Sequence, residues 1–298
     1  MSTSGYLSLS TPVLLLSGEN TRRWCNGMFS NNFRSMKPQQ HHRSAICDDR
    51  GRVQGLLDTI CISDNDFLCI LDGLSLEAFS KRFQMYMILD DIEMEEYTPS
   101  VLHLFGPETT DWLNTLGLPT PEQGTAVQHD NLWIQHRSRL RGTICFDIIS
   151  ASEEAGELDT LLQQLQALQA PTNTQTFEDL RIQTGTPRYP QDFTDKSFIH
   201  EYQLETELCS FNKGCYVGQE IINRMDIKQL ASKRLLVVNI EGVCTVGASI
   251  SFEDKPVGTL TSLDSGGTTG LALLKKKVWD VETPLQVEGS EGTVQIQH

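Results

Sequence analysis

The feature that most constrains the fold of this chain is a change of pattern near residue 230. Beyond that point the sequence predicts short strands with no helix between them, over residues 235–240, 249–252, 257–262, 270–275, 285–287 and 293–297. The turn formers at residues 254–255 and 289–292 join neighbouring strands as hairpins. Short strands joined by tight turns are typical of a small antiparallel barrel. We therefore predict a C-terminal β-barrel domain over residues 231–298.

Residues 1–230 follow a different pattern, in which strands alternate with helices. One early strand is predicted over residues 7–16. Helical spacing of apolar side chains marks two clear helices, one with Leu76, Phe79, Phe83 and Met87 and the other with Leu158, Leu161, Leu162, Leu165 and Leu168. Two successive strand–helix–strand–strand–helix runs indicate an α+β region with two similar halves, about residues 1–95 and 96–200, followed by a segment over residues 201–230.

The charge balance of the chain is acidic. Its 298 residues include 24 Lys and Arg against 39 Asp and Glu, which gives a net charge of −15 at pH 7. Proteins that bind nucleic acid directly need a basic face, so we expect no direct nucleic-acid ligand. The local basic cluster of Arg137, Arg139 and Arg141 is predicted to be a solvated surface face.

The cysteines and the apolar runs bear on the cellular compartment. Eight cysteines are scattered along the chain without a C-x-x-C pair or zinc-finger spacing, a distribution typical of reduced cytosolic thiols. No run reaches the ~20 apolar residues that span a bilayer. The first basic residue is Arg22, which argues against a secretory or transit segment. We therefore expect a cytoplasmic protein that does not bind a membrane.

The segment richest in chemistry is Lys-Gly-Cys-Tyr-Val-Gly-Gln-Glu at residues 213–220. Its glycines let the backbone turn sharply and approach a bound molecule closely. A thiol beside such a turn, with Lys213 two residues before it, would be exposed and electropositive, and these conditions favour a thiolate at Cys215. The alternative is a loop leading into a helix, with Cys215 as a small buried hydrophobe. Spacing alone leaves both interpretations open.

This segment, followed by Arg224, resembles the signature of the YgfZ family of folate-binding proteins, which is related to the aminomethyltransferase (T-protein) of the glycine cleavage system. Three more segments are similar to that family: Phe-Ser-Asn-Asn at residues 29–32, Cys-Asp-Asp-Arg-Gly-Arg at 47–52, and Arg-Ile with Gly-Thr-Pro at 181–187. The resemblance implies an aminomethyltransferase-like α+β fold, in which residues 1–230 bind folate and a small antiparallel barrel follows.

The resemblance also implies a function. It points to a tetrahydrofolate-binding accessory protein that supports iron–sulfur cluster assembly or repair and, indirectly, tRNA modification. Its partners would be iron–sulfur enzymes or assembly factors met transiently, and Cys215 would be the functional thiol, with Lys213 lowering the thiol pKa. Because a cluster normally takes four protein ligands, one thiolate cannot hold it, and we expect no stably bound metal.

Two departures from the T-protein pattern argue against aminomethyl transfer. Gly55 and Leu56 stand where the T-proteins have acids near the reacting folate nitrogen, and the nearest carboxylate is that of Asp58. Gln183 replaces a glutamate that contacts the pterin ring, so a neutral amide stands where a charge is usual. A folate-dependent one-carbon transferase and a binding module without chemistry remain the alternatives.

A folate site needs an apolar slot for the pterin and a cation for the glutamyl carboxylates. The candidate cations are Arg224 and Arg234, although surface arginines paired with nearby acids are an equal alternative. Gln183 can still hydrogen-bond a pterin. Tyr216 and Gln219 of the motif complete the predicted folate contacts.

Overall fold

The computed structural model describes residues 3–97, 101–137, 139–150, 156–168 and 174–297. The strands in these ranges are β1 (Gly5–Leu9), β2 (Val13–Ser17), β3 (His41–Cys47), β4 (Val53–Cys61), β5 (Phe67–Asp72), β6 (Glu93–Tyr97), β7 (Val101–Phe105), β8 (Ala126–His129), β9 (Leu132–His136), β10 (Cys145–Ser150), β11 (Lys233–Glu241), β12 (Ser249–Phe252), β13 (Lys255–Leu263), β14 (Thr269–Lys275), β15 (Leu285–Val287) and β16 (Thr293–Ile296). The α-helices are α1 (Thr21–Met28), α2 (Leu76–Leu89), α3 (Thr109–Thr115), α4 (Gly156–Leu168), α5 (Thr174–Gln183), α6 (Glu205–Leu208) and α7 (Gln219–Lys228). Among the described residues, no helix is both long and apolar enough to cross a membrane.

The strands before β11 form two five-stranded sheets. The first has the order β3-β4-β5-β2-β6 and the second the order β1-β7-β10-β9-β8. Helices α1 and α2 cover the first sheet through a core that includes Phe29 and Phe83, while α4 covers the second through Leu165. One apolar cluster contains side chains of both sheets, such as Ile70 and Trp133. The two sheets therefore pack against each other.

The single strand predicted over residues 7–16 is two strands. They are separated at Pro12, which has no backbone N–H to donate to a ladder. Strand β1 pairs with β7 in the second sheet, whereas β2 pairs with β5 and β6 in the first. Consecutive strands usually lie in one sheet, but here the first strand crosses over. The predicted halves, residues 1–95 and 96–200, therefore do not coincide with the two sheets.

The last six strands close into an antiparallel barrel in the order β11-β14-β13-β12-β15-β16. Side chains alternate across each strand, and the inward ones form one apolar core that includes Val238, Leu260, Leu274 and Val294. The C-terminal barrel predicted from short strands and tight turns is confirmed.

A buried ion pair joins the barrel to the α+β region. Arg181 on α5 donates from Nη1 to Asp192 Oδ2 at 2.7 Å and from Nη2 to Ser262 Oγ on β13 at 2.9 Å. Ser262 and Thr261 in turn donate to Asp192 Oδ1 at 2.6 and 2.7 Å. Arg181 and Asp192 are 2% and 4% exposed. Charges this deeply buried need such partners, so the contact fixes how α5 sits on the barrel.

Replacing Arg181 by Met is expected to lower the free energy of unfolding by about 3–5 kcal/mol, because Asp192 would be buried without its cation. Urea denaturation followed by circular dichroism measures the change. Gln183→Ala, at an exposed position on the same helix, is the matched control and should stay within about 0.5 kcal/mol of the wild type. Equal stability of the two variants would contradict a structural role for the ion pair.

Candidate functional site

A cleft of about 310 Å³ opens between the two sheets. Its walls come from β1 and the turn after it, from the ends of β3 and β5, from α5, and from the segment 186–188. The apolar part of the lining consists of Leu7, Leu9, Phe177 and Pro187. This volume lies at the small end of ligand pockets, and a mixed apolar and polar lining is typical of them. The cleft is the leading candidate for a small-molecule site.

The cleft is rich in arginine. Five of its lining residues are arginines, namely Arg43, Arg137, Arg139, Arg181 and Arg188. Its lining carboxylates belong to Asp72 and Glu178. Each arginine is paired with at least one carboxylate, so the cleft offers guanidinium donors to an anionic ligand without a net excess of positive charge.

Two fully buried aspartates hold three of these arginines. Asp58 on β4 lies 2.6 Å from Arg137 Nη1 and 3.2 Å from Arg43 Nε. Asp147 on β10 lies 3.0 Å from Arg139 Nη2 and 3.3 Å from Arg137 Nη1. Since Arg137 contacts both aspartates, the cluster ties β4 of the first sheet to β10 of the second. A buried charge without a partner costs several kcal/mol, so the guanidinium positions are strongly specified.

The protonation of this cluster follows from burial and from its neighbours. Burial raises the pKa of Asp58, and Arg137 opposes that rise. Burial also acts to raise the pKa of Asp147. Its neighbours Arg139 and His103 outweigh this effect and hold the Asp147 pKa well below its usual range. His103 Nδ1 lies 2.6 Å from Asp147 Oδ1. Burial and the neighbouring Arg139 lower the pKa of Arg137 to about 10. Arg137 therefore stays charged at neutral pH.

The prediction that Arg137, Arg139 and Arg141 form a solvated face is wrong. Arg137 is 3% exposed, and Arg141 donates to the carbonyl oxygens of Gly185 and Tyr202 at 3.0 and 2.7 Å. A signal was present in the partner strands, where Asp58 and Asp147 each stand alone among apolar residues. Acids are almost never fully buried unless paired, so these two positions indicate buried cations nearby.

The motif at residues 213–220 forms a loop that leads into α7. It packs against two of the other segments that resemble the YgfZ family. Lys213 Nζ donates to the carbonyl oxygens of Phe29 and Asn31 at 2.6 and 2.5 Å. Gly218 lies against the turn at residues 48–51. Three segments distant in sequence thus meet at one place, and the motif loop is held by contacts with both.

Gly218 is the closest of these contacts. Its φ of +85° is in the left-handed region, and a Cβ at this position would lie 2.6 Å from the carbonyl oxygen of Asp48 and 3.0 Å from Gly51 Cα. Only glycine fits such a position without displacing backbone. The glycines of the motif are predicted to let the backbone approach a bound molecule. At Gly218 the backbone instead approaches the turn at residues 48–51 of the same chain.

Lys213 is the anchor of the loop. Its Nζ lies 4.7 Å from the centroid of the Tyr216 ring, and burial lowers its pKa to about 7. The thiols that act on this ammonium are those of Cys209 and Cys25. The structure thus does not place Lys213 as the expected counter-ion of Cys215, because its donors are used by the carbonyl oxygens of residues 29 and 31.

Cys215 is exposed, whereas the other seven cysteines are buried. Its thiol is therefore open to solvent and to other molecules, as the first of the two sequence interpretations requires. Among the described residues that line the cleft, none belongs to the motif at 213–220. The thiol does not face a ligand held in the cleft, and the two candidate centres are separate.

The predicted folate-binding cations, Arg224 and Arg234, and the predicted pterin contact, Gln183, lie outside the cleft. Gln183 is exposed at the end of α5, and Arg224 is exposed on α7. Arg234 has its guanidinium 4.2 Å from the ring centroid of Trp279, in a smaller cavity of about 110 Å³ beside the barrel. The cleft instead uses arginines that sequence reasoning did not assign to it, because their placement depends on the packing of the two sheets.

The other two predicted folate contacts belong to the motif loop. Tyr216 is 7% exposed and packs in the core beneath the loop, where burial raises its pKa. Gln219 is the first residue of α7, and its Nε2 donates to the carbonyl oxygen of Gly214 at 3.5 Å. Both side chains shape the loop that carries Cys215.

Comparison with known proteins finds one matching family model and several relatives in sequence. The model of the family described as "CAF17, C-terminal beta-barrel domain" matches residues 233–298. A tRNA-modifying protein YgfZ from an Enterobacter species is 24% identical over 228 residues, which cover 74% of this chain and 67% of that protein. A chloroplastic protein of Arabidopsis thaliana described as a transferase is 31% identical over 121 residues, 39% of this chain, but the match spans only 28% of that protein.

The fold has a solved counterpart. The crystal structure of glycine cleavage system aminomethyltransferase T from Bartonella henselae superposes with a TM-score of 0.86 at 15% identity, covering 99% of this chain and 85% of that one. The predicted aminomethyltransferase-like α+β fold with a C-terminal barrel is thereby confirmed. This chain is thus similar in sequence to the YgfZ proteins and shares the fold of the aminomethyltransferases.

Strand β4 of this chain is used for packing at the positions where the T-proteins are expected to place acids. Leu56 is 2% exposed and belongs to an apolar cluster with Ile182. A Cβ on Gly55 would lie 3.0 Å from Leu74 Cβ. The nearest carboxylate, Asp58, is taken up by its two arginines. Strand β4 therefore contributes a counter-ion to the cleft.

Gly218→Ala tests whether the motif loop depends on its contact with the turn at 48–51. The variant is expected to lose about 1–3 kcal/mol of stability, because the methyl group meets backbone atoms at a positive φ. Gly214→Ala is the matched control in the same loop, since a Cβ there has no neighbour closer than 4.0 Å. Urea denaturation compares the two. A Gly218→Ala protein as stable as Gly214→Ala would rule out the tight docking of the loop.

Proposed function

We propose that this YgfZ-like protein binds tetrahydrofolate in the arginine-lined cleft and supports the assembly or repair of iron–sulfur clusters, with Cys215 as its functional thiol. It would support tRNA modification indirectly, through cluster-dependent enzymes. Its partners would be iron–sulfur enzymes or assembly factors met transiently in the cytoplasm, without direct contact with nucleic acid or a membrane. The observation that carries the proposal is the arginine-lined cleft between the sheets of an aminomethyltransferase fold.

The residues of the cleft fit a reduced folate. The apolar wall of Leu7, Leu9, Phe177 and Pro187 suits a pterin ring. The guanidinium of Arg188, whose side chain is 42% exposed at the rim, suits the glutamyl carboxylates that extend toward solvent. When bound, tetrahydrofolate supplies a carrier nitrogen for a one-carbon unit. The contribution of the chain is to orient this molecule and neutralise its charge.

The alternative is a folate-dependent one-carbon transferase, which needs an acid near the reacting nitrogen to steer a proton. The carboxylates of the cleft are committed to arginines. Glu178 pairs with Arg181 at 2.9 Å and also with Arg188, and Asp72 lies 3.5 Å from Arg43. Carboxylate oxygens that already contact guanidinium groups are less available to a reacting nitrogen. The arrangement favours folate binding over transfer, and turnover of an aminomethyl donor would favour the alternative.

Calorimetric titration with tetrahydrofolate tests the cleft. Arg188→Ala is expected to weaken binding about tenfold, because one charge-assisted contact contributes about 1.5–3 kcal/mol. Arg234→Ala removes an arginine that lies outside the cleft and serves as the matched control, with unchanged affinity. If Arg234→Ala weakens binding and Arg188→Ala does not, the folate site lies in the smaller cavity beside the barrel.

Replacing Cys215 by Ala tests the thiol independently of folate. The variant is expected to bind tetrahydrofolate like the wild type, because Cys215 does not line the cleft. In cells that lack the wild-type protein, it should fail to restore the activity of iron–sulfur enzymes. Cys244→Ser, which removes a buried thiol from the barrel, is the control and should restore activity. Full restoration by Cys215→Ala would remove the thiol from the mechanism.

A further inference from the structure

Helix α2 is apolar on two sides. Its buried side, formed by Phe79, Phe83 and Met87, packs on the first sheet. The rest of its surface exposes four large apolar residues, Met85 (64%), Tyr86 (52%), Ile88 (71%) and Leu89 (77%). We call these four residues the α2 apolar face. A helix that is apolar on several sides is normally buried. The exposed fractions show that, within the described chain, no other element covers the α2 apolar face.

The α2 apolar face is a cluster and not a scatter of single residues. Ten large apolar side chains are exposed in the described chain, and four of them lie within residues 85–89 of helix α2. Single exposed apolar residues are ordinary, whereas contiguous ones mark a surface for another molecule. Their spacing, with Met85, Ile88 and Leu89 three and four residues apart, is the pattern with which one helix packs against another.

This face is continuous with the thiol loop. Tyr86 and Phe83 of α2 line a cavity of about 180 Å³ whose opposite wall includes Val217 of the motif. Arg82 donates to the carbonyl oxygen of Cys47 at 2.7 Å and so fixes the helix beside the segment on which the motif loop rests. Val217 is two residues from the exposed Cys215. A molecule that covers Tyr86 therefore lies next to Val217 and the loop that carries Cys215.

The surroundings of the face decide what it can bind. The chain that leaves α2 carries four exposed acids, Asp91, Glu93, Glu95 and Glu96, the last three on the edge strand β6. An anionic membrane would be repelled by these charges, and a second copy packed on the same face would bring like charges together. A polypeptide with a basic flank satisfies both the apolar stripe and the acids.

We propose that the α2 apolar face docks a basic amphipathic helix of a partner protein and thereby presents that partner to Cys215. The role given to the thiol rests on the proposed function, whereas the docking itself does not. The apolar side of the partner helix covers Met85, Ile88 and Leu89. Its basic side faces Glu96, which lies on the same side of β6 as Met94, a residue that packs against the core beneath α2. Apolar area sets the affinity, and the acids set the orientation and the association rate.

The test uses two labelled peptides of fourteen residues, the length of α2. One is an amphipathic helix of Leu and Lys, and the other has Glu in place of Lys. Fluorescence anisotropy should show binding of the basic peptide, with affinity that falls as salt rises, and none of the acidic peptide. The double variant Ile88→Ser/Leu89→Ser should weaken binding at least tenfold. Ile227→Ser, which alters an equally exposed isoleucine on α7 (80%), should leave it unchanged.

A second readout locates the thiol. The basic peptide is made with a terminal cysteine activated as a thiopyridyl disulfide. The Cys215 thiol loses its proton to solvent and attacks the peptide sulfur, so that a peptide–Cys215 disulfide forms and pyridine-2-thione leaves with the electron pair. The exchange should be at least tenfold faster than with a small thiopyridyl disulfide, and Ile88→Ser/Leu89→Ser should abolish this advantage. Cys215→Ala should lose the adduct but keep the anisotropy signal.

The outcomes separate the docking from the function. Equal binding of both peptides, or unchanged binding by Ile88→Ser/Leu89→Ser, overturns the proposal. So does sedimentation of the protein with phosphatidylglycerol vesicles, or a dimer that Ile88→Ser/Leu89→Ser dissociates, because the face would then have another occupant. Selective peptide binding and exchange support the docking site, even if Cys215→Ala proves active in cells and the proposed function fails.

Discussion

The contact on which the rest of the structure depends is the bridge of Arg137 between Asp58 and Asp147. These three residues are almost completely buried, and they come from both sheets of the α+β region. Apolar packing between sheets is not directional, whereas ion pairs at 2.6 and 3.3 Å fix a register. The same bridge leaves Arg43 and Arg139 lining the cleft. One buried cluster thus sets both the relation of the sheets and the positions of the guanidinium groups that line the cleft.

The parts of the fold that depend on local pattern could be predicted from the sequence. The barrel strands alternate with period two and end in turn formers, so their existence needs no knowledge of partners. The strand predicted over residues 7–16 depends on more than local pattern, because the chain divides at Pro12 and β1 and β2 join separate sheets. No local signal says which sheet each piece will join. The same reason explains why the two halves assigned by pattern do not match the two sheets.

The candidate site divides in the same way. Cys215 could be singled out because its neighbours along the chain, two glycines and a lysine, suggested an exposed turn. The cleft arginines could not, because burial of an arginine is set by a carboxylate on a distant strand. Gln183 is predicted from the glutamate that it replaces, and Arg224 and Arg234 are predicted as cations for the glutamyl carboxylates. None of the three lines the cleft in the folded chain. Contacts set by tertiary packing are the ones that sequence spacing does not report.

The cleft and the thiol loop are held by one strand, although they do not share a lining. Arg43 on β3 presents its guanidinium to the cleft, while its carbonyl oxygen accepts a hydrogen bond from Asn31 Nδ2 at 2.8 Å. The carbonyl oxygen of Asn31 accepts in turn from Lys213.

The fold therefore fixes the positions of the cleft and the thiol loop relative to each other without bringing them into contact. In an aminomethyltransferase the reacting acid must lie in the folate pocket itself. Here the positions of those acids, Gly55 and Leu56, are used for packing, and the exposed thiol, that of Cys215, lies outside the cleft. Such a separation suits a protein whose thiol must meet another macromolecule, since a thiol enclosed with folate could not reach one.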